Sequence, residues 1–310
     1  MKVLIPEDII DDTMLISSSI ESDFDGVPEY DPETTYTEGT EVQYLHTKYT
    51  ALSTSESNIG QTPGPSSAFW EEGDPDNRWA MFDSYVSTQT VGDVDEDIVV
   101  VLNADSVDSL ALLNMENVLS VRVQREYVPS GEIVMDTTEQ LIRYAQDAVS
   151  SSWWEYFFGE IEYRHQLFLN FDSWTQSQIT ITMTPVPGLA AKVGHCLIGQ
   201  SKNIGKAQWG IVPSMTDYSK IIRDTDTGKT RLVQGNYAKN LTIPLVINNA
   251  LLDKAFRDMT DVRGRPAVWN ANENGTNWES MVSFGYIREF ALTIPGANES
   301  TCNITVEGLI

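Results

Sequence analysis

Apolar and polar residues alternate in short runs along most of this chain, and the runs are rich in β-branched and aromatic side chains. Ile98 to Leu102, Val118 to Val123, Glu160 to Phe171 and Gln178 to Met183 read as strands, because such residues suit a pleated, half-buried surface. Further on, Ile211 to Asp217 and Ser219 to Thr225 approach the turn Asp226-Thr227-Gly228-Lys229, and Thr230 to Gln234 leaves it. That is a hairpin pattern, since Asp and Gly suit tight turns. Ala238 to Ile247, Ala267 to Trp269, Met281 to Ile287 and Ile304 to Val306 complete a second β-rich stretch.

Two segments break the period of two. Asp136-Thr137-Thr138-Glu139 is followed by Leu141, Ile142, Ala145 and Ala148, with Thr137 and Gln140 placed as a capping box. This spacing predicts a helix. Asn248-Asn249 precedes Leu252, Ala255, Phe256, Met259 and Val262, and Gly264 stops the run. Apolar residues at i, i+3 and i+4 predict a helix over 249–263 that covers one face or edge of a sheet. No short-period tandem repeat is present. The pattern as a whole is a string of small β-domains with two covering helices.

The beginning of the chain differs. Residues 1–29 are acidic and Ser-rich apart from Val3-Leu4-Ile5 and Met14-Leu15-Ile16. They predict an extended arm that becomes ordered against a neighbour. Between residues 30 and 73, Glu33 to Tyr36, Glu41 to Leu45 and Lys48 to Leu52 predict short strands with tight turns at Glu38-Gly39 and His46-Thr47. A loop at Gly60, Pro63, Gly64 and Pro65 follows, and Phe69-Trp70 returns as the last strand.

With 310 residues, 41% of them apolar, the chain has material for more than one buried core. No apolar run approaches membrane-spanning length, and MKVLIPEDIIDD lacks the basic and apolar regions of a secretory leader. The net charge of −25 is uneven: residues 1–100 hold 22 acids and 3 bases, the remainder 23 and 17. Such a surface repels phosphate backbones, so nucleic acid is not an expected partner. A soluble acidic face is the ordinary reading, and a docking face for a basic partner the sharper one.

Candidate chemistry is sparse. His195 and Cys196 are adjacent, but neighbours on a strand point to opposite faces and should not meet. There is no nucleophile elbow, phosphate loop or dinucleotide fingerprint. No catalytic residue and no cofactor is therefore expected. Cys196 and Cys302 have no ligand-like companions, which argues against structural zinc and leaves free thiols or a disulfide. Asp224 and Asp226 with Gly228 begin a calcium-loop pattern, but the Glu that should close it is missing. These are the nearest approach to a metal site, and none is expected. Trp153, Trp154, Tyr156, Phe157 and Phe158 form the densest aromatic cluster, a core or subunit-contact element.

Tyr36, Glu38-Gly39, Val42, Tyr44, Lys48-Tyr49, Gly60, Pro63, Trp70 and Gly73 together resemble the chitin-binding type 5/12 class of carbohydrate-binding modules. The resemblance covers about 40 residues. It implies a three-stranded module with a core of Tyr36, Val42, Tyr49 and Trp70, and a sugar site on exposed rings. Members that bind sugar carry aromatics where this chain reads Ala51-Leu52-Ser53-Thr54-Ser55-Glu56. Tyr44 is then the candidate ring, with Tyr49 and Trp70 beside it.

A wider resemblance runs from about residue 30 to the end. It is carried by Asn77-Arg78-Trp79-Ala80-Met81-Phe82-Asp83, Gly194 to Gly199, Trp209-Gly210, Thr216 to Ser219 and Cys302 to Ile310. These motifs look like a group of tailed-bacteriophage virion proteins. Residues 80–200 also resemble galactose-binding-like jelly rolls, through Phe171-Asp172-Ser173, Gln178 to Thr182 and Gly194 to Gly199. The expected scheme is then mainly β: an arm (1–29), a carbohydrate-binding-module-like unit (30–76), a jelly roll (77–203) and a second β-sandwich (204–310). The resemblance implies a virion tail structural protein at the tail tip, baseplate or neck, made in the bacterial host cytoplasm and present in several copies. Its expected partners are copies of itself and other phage tail proteins, without nucleic acid or membrane insertion. Besides the aromatic cluster, the apolar end at Leu309-Ile310 is a candidate contact. The alternative is an adhesin that holds host surface glycan through the module or the jelly roll.

Overall fold

The computed structural model describes residues 1–6, 10, 12–24, 26–52, 58–83, 85, 87–143, 162–223, 228–272 and 278–309. Among these residues the chain is mainly β, with one α-helix and three short 3-10 turns. The strands are β1 (Lys2–Pro6), β2 (Leu15–Ser18), β3 (Glu41–Tyr44), β4 (Thr47–Ala51), β5 (Trp70–Pro75), β6 (Thr90–Val94), β7 (Ile98–Asn103) and β8 (Ser109–Glu116). There follow β9 (Val118–Tyr127), β10 (Glu132–Gln140), β11 (Ile142–Arg143), β12 (Glu162–Tyr163), β13 (Leu167–Asn170), β14 (Ser177–Pro185) and β15 (Ala190–Asn203). The last third carries β16 (Lys206–Ala207), β17 (Val212–Asp217), β18 (Lys220–Arg223), β19 (Thr230–Val233), β20 (Tyr237–Asn248), α1 (Leu252–Val262), β21 (Ala267–Asn270), β22 (Val282–Thr293) and β23 (Glu299–Gly308).

An eleven-stranded sheet has the order β13-β8-β15-β1-β21-β22-β23-β20-β16, with β6 added on β15 and β17 on β20. A five-stranded sheet has the order β10-β9-β14-β7-β2. The alternation read in β14 is realised residue by residue: Ser177, Ile179, Ile181 and Met183 are buried and the residues between them are half-buried. Ile179, Ile181 and Met183, with Val100, Leu102, Val121 and Val123, pack on Leu110, Leu112, Val193, Cys196 and Ile198 of the large sheet. The two sheets thus share one core.

The second half packs differently. Leu241, Ile243, Leu245, Ile304 and Val306 close against Ala255, Met259 and Val262 of α1. The helix forms where expected, and Asn248 caps the preceding turn by accepting from the Ala250 amide at 2.9 Å. Phe256 is the exception to the expected stripe: it is exposed, with its ring 6.0 Å from that of Phe290.

The chain's first strand joins these halves. β1 pairs with β15 on one side and β21 on the other, both antiparallel. Val3 and Leu4 are both fully buried, Val3 among the residues under α1 and Leu4 on the opposite face with Ala111, Leu113 and Val268. The expected arm finds its neighbours inside its own chain. β2 then crosses to the edge of the five-stranded sheet beside β7.

Two expectations fail in this region. Residues 136–140, expected to begin a helix, lie in β10, and Ile142–Arg143 forms β11. Cross-strand partners outweigh the capping pattern: Arg122 donates to both Asp136 carboxylate oxygens, at 2.9 and 2.6 Å, and Gln124 adds a third bond. Ala145 and Ala148 lie outside the described residues. The expected strand at Glu33 to Tyr36 is loop, and β3, β4 and β5 make the three-stranded sheet without it.

Candidate functional site

Three surfaces are candidates: the aromatic face of the small sheet, a cleft on the outer face of the large sheet, and a ribbon that projects from it.

In the small sheet Val42, Tyr49, Ala51 and Trp70 form a core on which Tyr30, Tyr36 and Tyr44 pack. The core proposed from sequence is therefore present. The same burial removes two of the three candidate sugar rings. Tyr49 and Trp70 are enclosed, and the Trp70 indole donates to the Gln61 carbonyl at 2.7 Å. A pyranose cannot stack on a ring with no free face. Tyr44 is half-buried and meets Tyr30 edge-on, with centroids 5.8 Å apart. The turn between β3 and β4 uses Leu45 and His46 at positive φ, without glycine. The His46 ring stacks on Trp79 at 3.8 Å, and its carbonyl accepts from the Asp76 amide, which ties the small sheet to the body.

The cleft lies over β8, β15 and β22. A paired irregularity shapes its floor: Asn114 adopts positive φ opposite Gly194, where a Cβ would stand 2.7 Å from that of Asn114. Burial parity changes across this point in both strands, so Met115, Val193 and Cys196 face the inter-sheet core while Leu113 and His195 face outward. His195 and Cys196 indeed point to opposite faces. The cleft has a volume of about 1040 Å³ and also takes in His165, Gln166, Lys239, Glu279, Phe284 and Leu309.

Its charges are matched internally. The Lys239 ammonium donates to the Glu279 carbonyl, and burial lowers the Lys239 pKa despite the nearby Glu279 carboxylate. That carboxylate accepts from the His165 amide at 2.6 Å and the Gln166 amide at 3.3 Å. Glu116 binds Lys192 at 3.1 Å, and that bond holds its carboxyl below the usual carboxylate range. His195 is 1% exposed, and neither ring nitrogen has a hydrogen-bond partner among the described residues.

Burial moves the His195 pKa from 6.5 down to about 4. An imidazole whose folded pKa lies below its unfolded one is protonated first in the unfolded chain, so falling pH favours unfolding. The loss of stability begins near pH 6.5 and levels off near pH 4. Asp83, raised to about 6 by burial, acts in the opposite direction, since its folded carboxyl holds the proton more tightly. Urea denaturation of wild type and His195→Gln between about pH 7 and about pH 4 isolates the histidine. The variant is expected to lose less stability with acid; parallel curves would refute the assignment.

The ribbon continues β17 and β20 outward as the hairpin β18–β19. The strands of the expected hairpin are present; Asp224 and Asp226 lie outside the described residues. At its base Gly235 permits close approach, since a Cβ there would stand 2.7 Å from the Tyr218 carbonyl. Every described residue from Val212 to Tyr237 is exposed except Ser219. Ile221 and Leu232 are 67% and 68% exposed, and Met215, Ile222 and Val233 accompany them. Sequence periodicity marked this hairpin but carried no sign that neither face is covered.

The remaining candidates are placed as follows. Trp153, Trp154, Tyr156, Phe157 and Ile310 lie outside the described residues. Leu309 is half-buried, and its amide donates to the Phe284 carbonyl at 3.0 Å. Both cysteines are free and buried, and burial pushes each thiol up to about 12, so neither is a nucleophile at neutral pH. Among the described residues no cluster of His, Cys, Asp and Glu could hold a metal ion, and no helix is long and apolar enough to cross a membrane. No protein-family model matches the sequence, and no curated protein matches it.

Proposed function

We propose that this chain is a structural component of a bacteriophage tail, at the tail tip, baseplate or neck, assembling in several copies and anchoring or bridging other tail parts. The reading of residues 77–203 as a galactose-binding-like jelly roll, followed by a second sandwich-like unit, belongs to the same proposal. The observation that supports assembly is the exposed ribbon. A two-stranded hairpin alone is marginal in water, and an apolar one on the surface marks a contact with another molecule.

Charge selects the partner. Residues 220–233 hold Lys220, Arg223, Lys229 and Arg231 against Asp224 and Asp226, a net charge of +2 in a chain of net charge −25. The first hundred residues hold most of that negative charge. The ribbon of one copy therefore suits the acidic surface of the next. A contact between two different patches closes into a ring or extends into a filament.

Sedimentation of the full chain tests this. Wild type is expected to associate in a concentration-dependent way. Raising salt from about 0.1 M to about 1 M, which shortens the screening length from about 10 Å to about 3 Å, is expected to weaken it. Ile221→Ser with Leu232→Ser should leave folded monomers. A wild-type chain that stays monomeric throughout removes the ribbon as the basis of assembly, and localisation in the intact particle by electron microscopy tests the tail placement.

The second reading is a host-polysaccharide adhesin. It draws on Tyr44, the one candidate ring of the small sheet that keeps partial access to solvent.

A further inference from the structure

We infer that the cleft over β8, β15 and β22 is a binding site for a short neutral saccharide. The site is separate from the small sheet that the family resemblance singles out.

Two buried polar groups at the cleft call for a ligand. Neither His195 ring nitrogen has a partner, nor does the Gln166 side-chain carbonyl, and both residues line the cleft. A buried polar group without a hydrogen bond is destabilising, and such groups gathered at one cavity point to an occupant that completes them. A neutral imidazole offers one donor and one acceptor, and the amide carbonyl offers an acceptor. A hydroxyl, which donates and accepts, suits each of them, and it reaches them once these side chains, enclosed in the cleft wall, turn toward the lumen.

The charges speak against an ionic ligand. Lys239 is held by the Glu279 carbonyl, the Glu279 carboxylate by two backbone amides, and Glu116 by Lys192. Lys239 and Glu279 lie within electrostatic reach of each other and Glu116 pairs with Lys192, so these four groups leave no net charge to neutralise a phosphate, a carboxylate or an ammonium. Much of the remaining polar lining is neutral: Asn114, Gln234, Asn236, Tyr237 and Ser214. Amides and hydroxyls in this density match a ligand with many hydroxyls. Leu113, Met215 and Phe284 supply the apolar surface on which the C–H face of a sugar ring packs. The Phe284 ring already lies against His195, with centroids 5.0 Å apart. A volume of about 1040 Å³ lies at the upper end of the range for small-molecule sites, room for several linked rings rather than one.

The wall is the place to test the site. His195 is buried, and its substitution changes stability as well as binding. Asn236 and Tyr237 are exposed, so Asn236→Ala and Tyr237→Ala should remain folded. The full chain and both variants would be applied to an array of neutral and anionic glycans, and any neutral glycan retained would be titrated by calorimetry. Wild type is expected to retain neutral glycans, and each variant to bind at least about tenfold more weakly, the loss of one or two hydrogen bonds. At saturation the His195 imidazole resonances should shift. Retention of anionic glycans alone, or of none, overturns the inference. So does neutral binding that survives both wall variants, or that is lost only in Tyr44→Ala, which would assign it to the small sheet.

Discussion

Arg125→Met is expected to lower folding stability by about 3–5 kcal/mol, more than any surface substitution in the chain. Arg125 lies on β9 and is fully buried. All five of its N–H donors are used. Nε donates to the Ser177 hydroxyl at 3.0 Å, one terminal nitrogen to the Val107 and Asp172 carbonyls, and the other to those of Ala104 and Trp174. The guanidinium also sits 5.3 Å from the centre of the Phe171 ring. Desolvation lowers its pKa, and the field of Asp105 and Asp108 opposes that shift. One side chain thus holds together the loops that follow β7 and precede β14.

Methionine matches the volume of the arginine stem but removes five hydrogen bonds at once; the Ala104 and Trp174 carbonyls keep donors in Ser177 and Ser106, whereas the Val107 and Asp172 carbonyls are left unmet. Their unmet hydrogen bonds, rather than the lost charge, set the size of the effect. Arg125→Lys is expected to rescue little, because one ammonium with three donors cannot span a planar fork of five. Urea denaturation of both variants checks this. A loss below about 1 kcal/mol for methionine would mean that the loops are organised without the guanidinium.

The second large effect concerns β1. Deletion of residues 2–6 is expected to abolish the single cooperative unfolding transition. The strand contributes five residue pairs to β15 and three to β21, and no other described strand joins those two. Its loss exposes two unpaired edges in the middle of the large sheet, and such edges recruit other chains. The truncated protein should aggregate or melt in two separate steps. Leu4→Ala, which only opens a cavity, should cost about 2–5 kcal/mol while keeping one transition. A soluble truncated chain with one transition at the wild-type temperature would show that the halves cohere without this strand.

Both effects bear on the proposed assembly. A ribbon docked on a neighbouring copy would transmit force only if its base were rigid. β20, from which it springs, is paired with β23 along eight residues and lies over α1. The strand β1 in turn couples that half to the two packed sheets of the other.

Much of the local structure was legible in the residues. The alternation in β7, β9, β14 and β20, the helix after Asn248 and the β18–β19 hairpin follow from side-chain period, caps and turn residues, while the core of the small sheet was implied by the family resemblance. The separation of His195 from Cys196 follows from the same period. The failed helix at 136–140 shows the limit: a capping pattern weighs only neighbours along the chain, while Asp136 found Arg122 across a strand.

Local pattern alone determined which segments are strands, where the helix starts and how acidic the surface is. Tertiary structure decided that Val3 and Leu4 sit at the centre of the largest sheet, that Arg125 is interior although its Gln-Arg-Glu context reads as surface, and that His195 lies unpartnered at a cleft. The physical reason is range. Period, caps and turns depend on residues a few positions apart, whereas strand order, buried hydrogen-bond partners and cavities arise from pairings between segments as distant as Lys2 and Asn270.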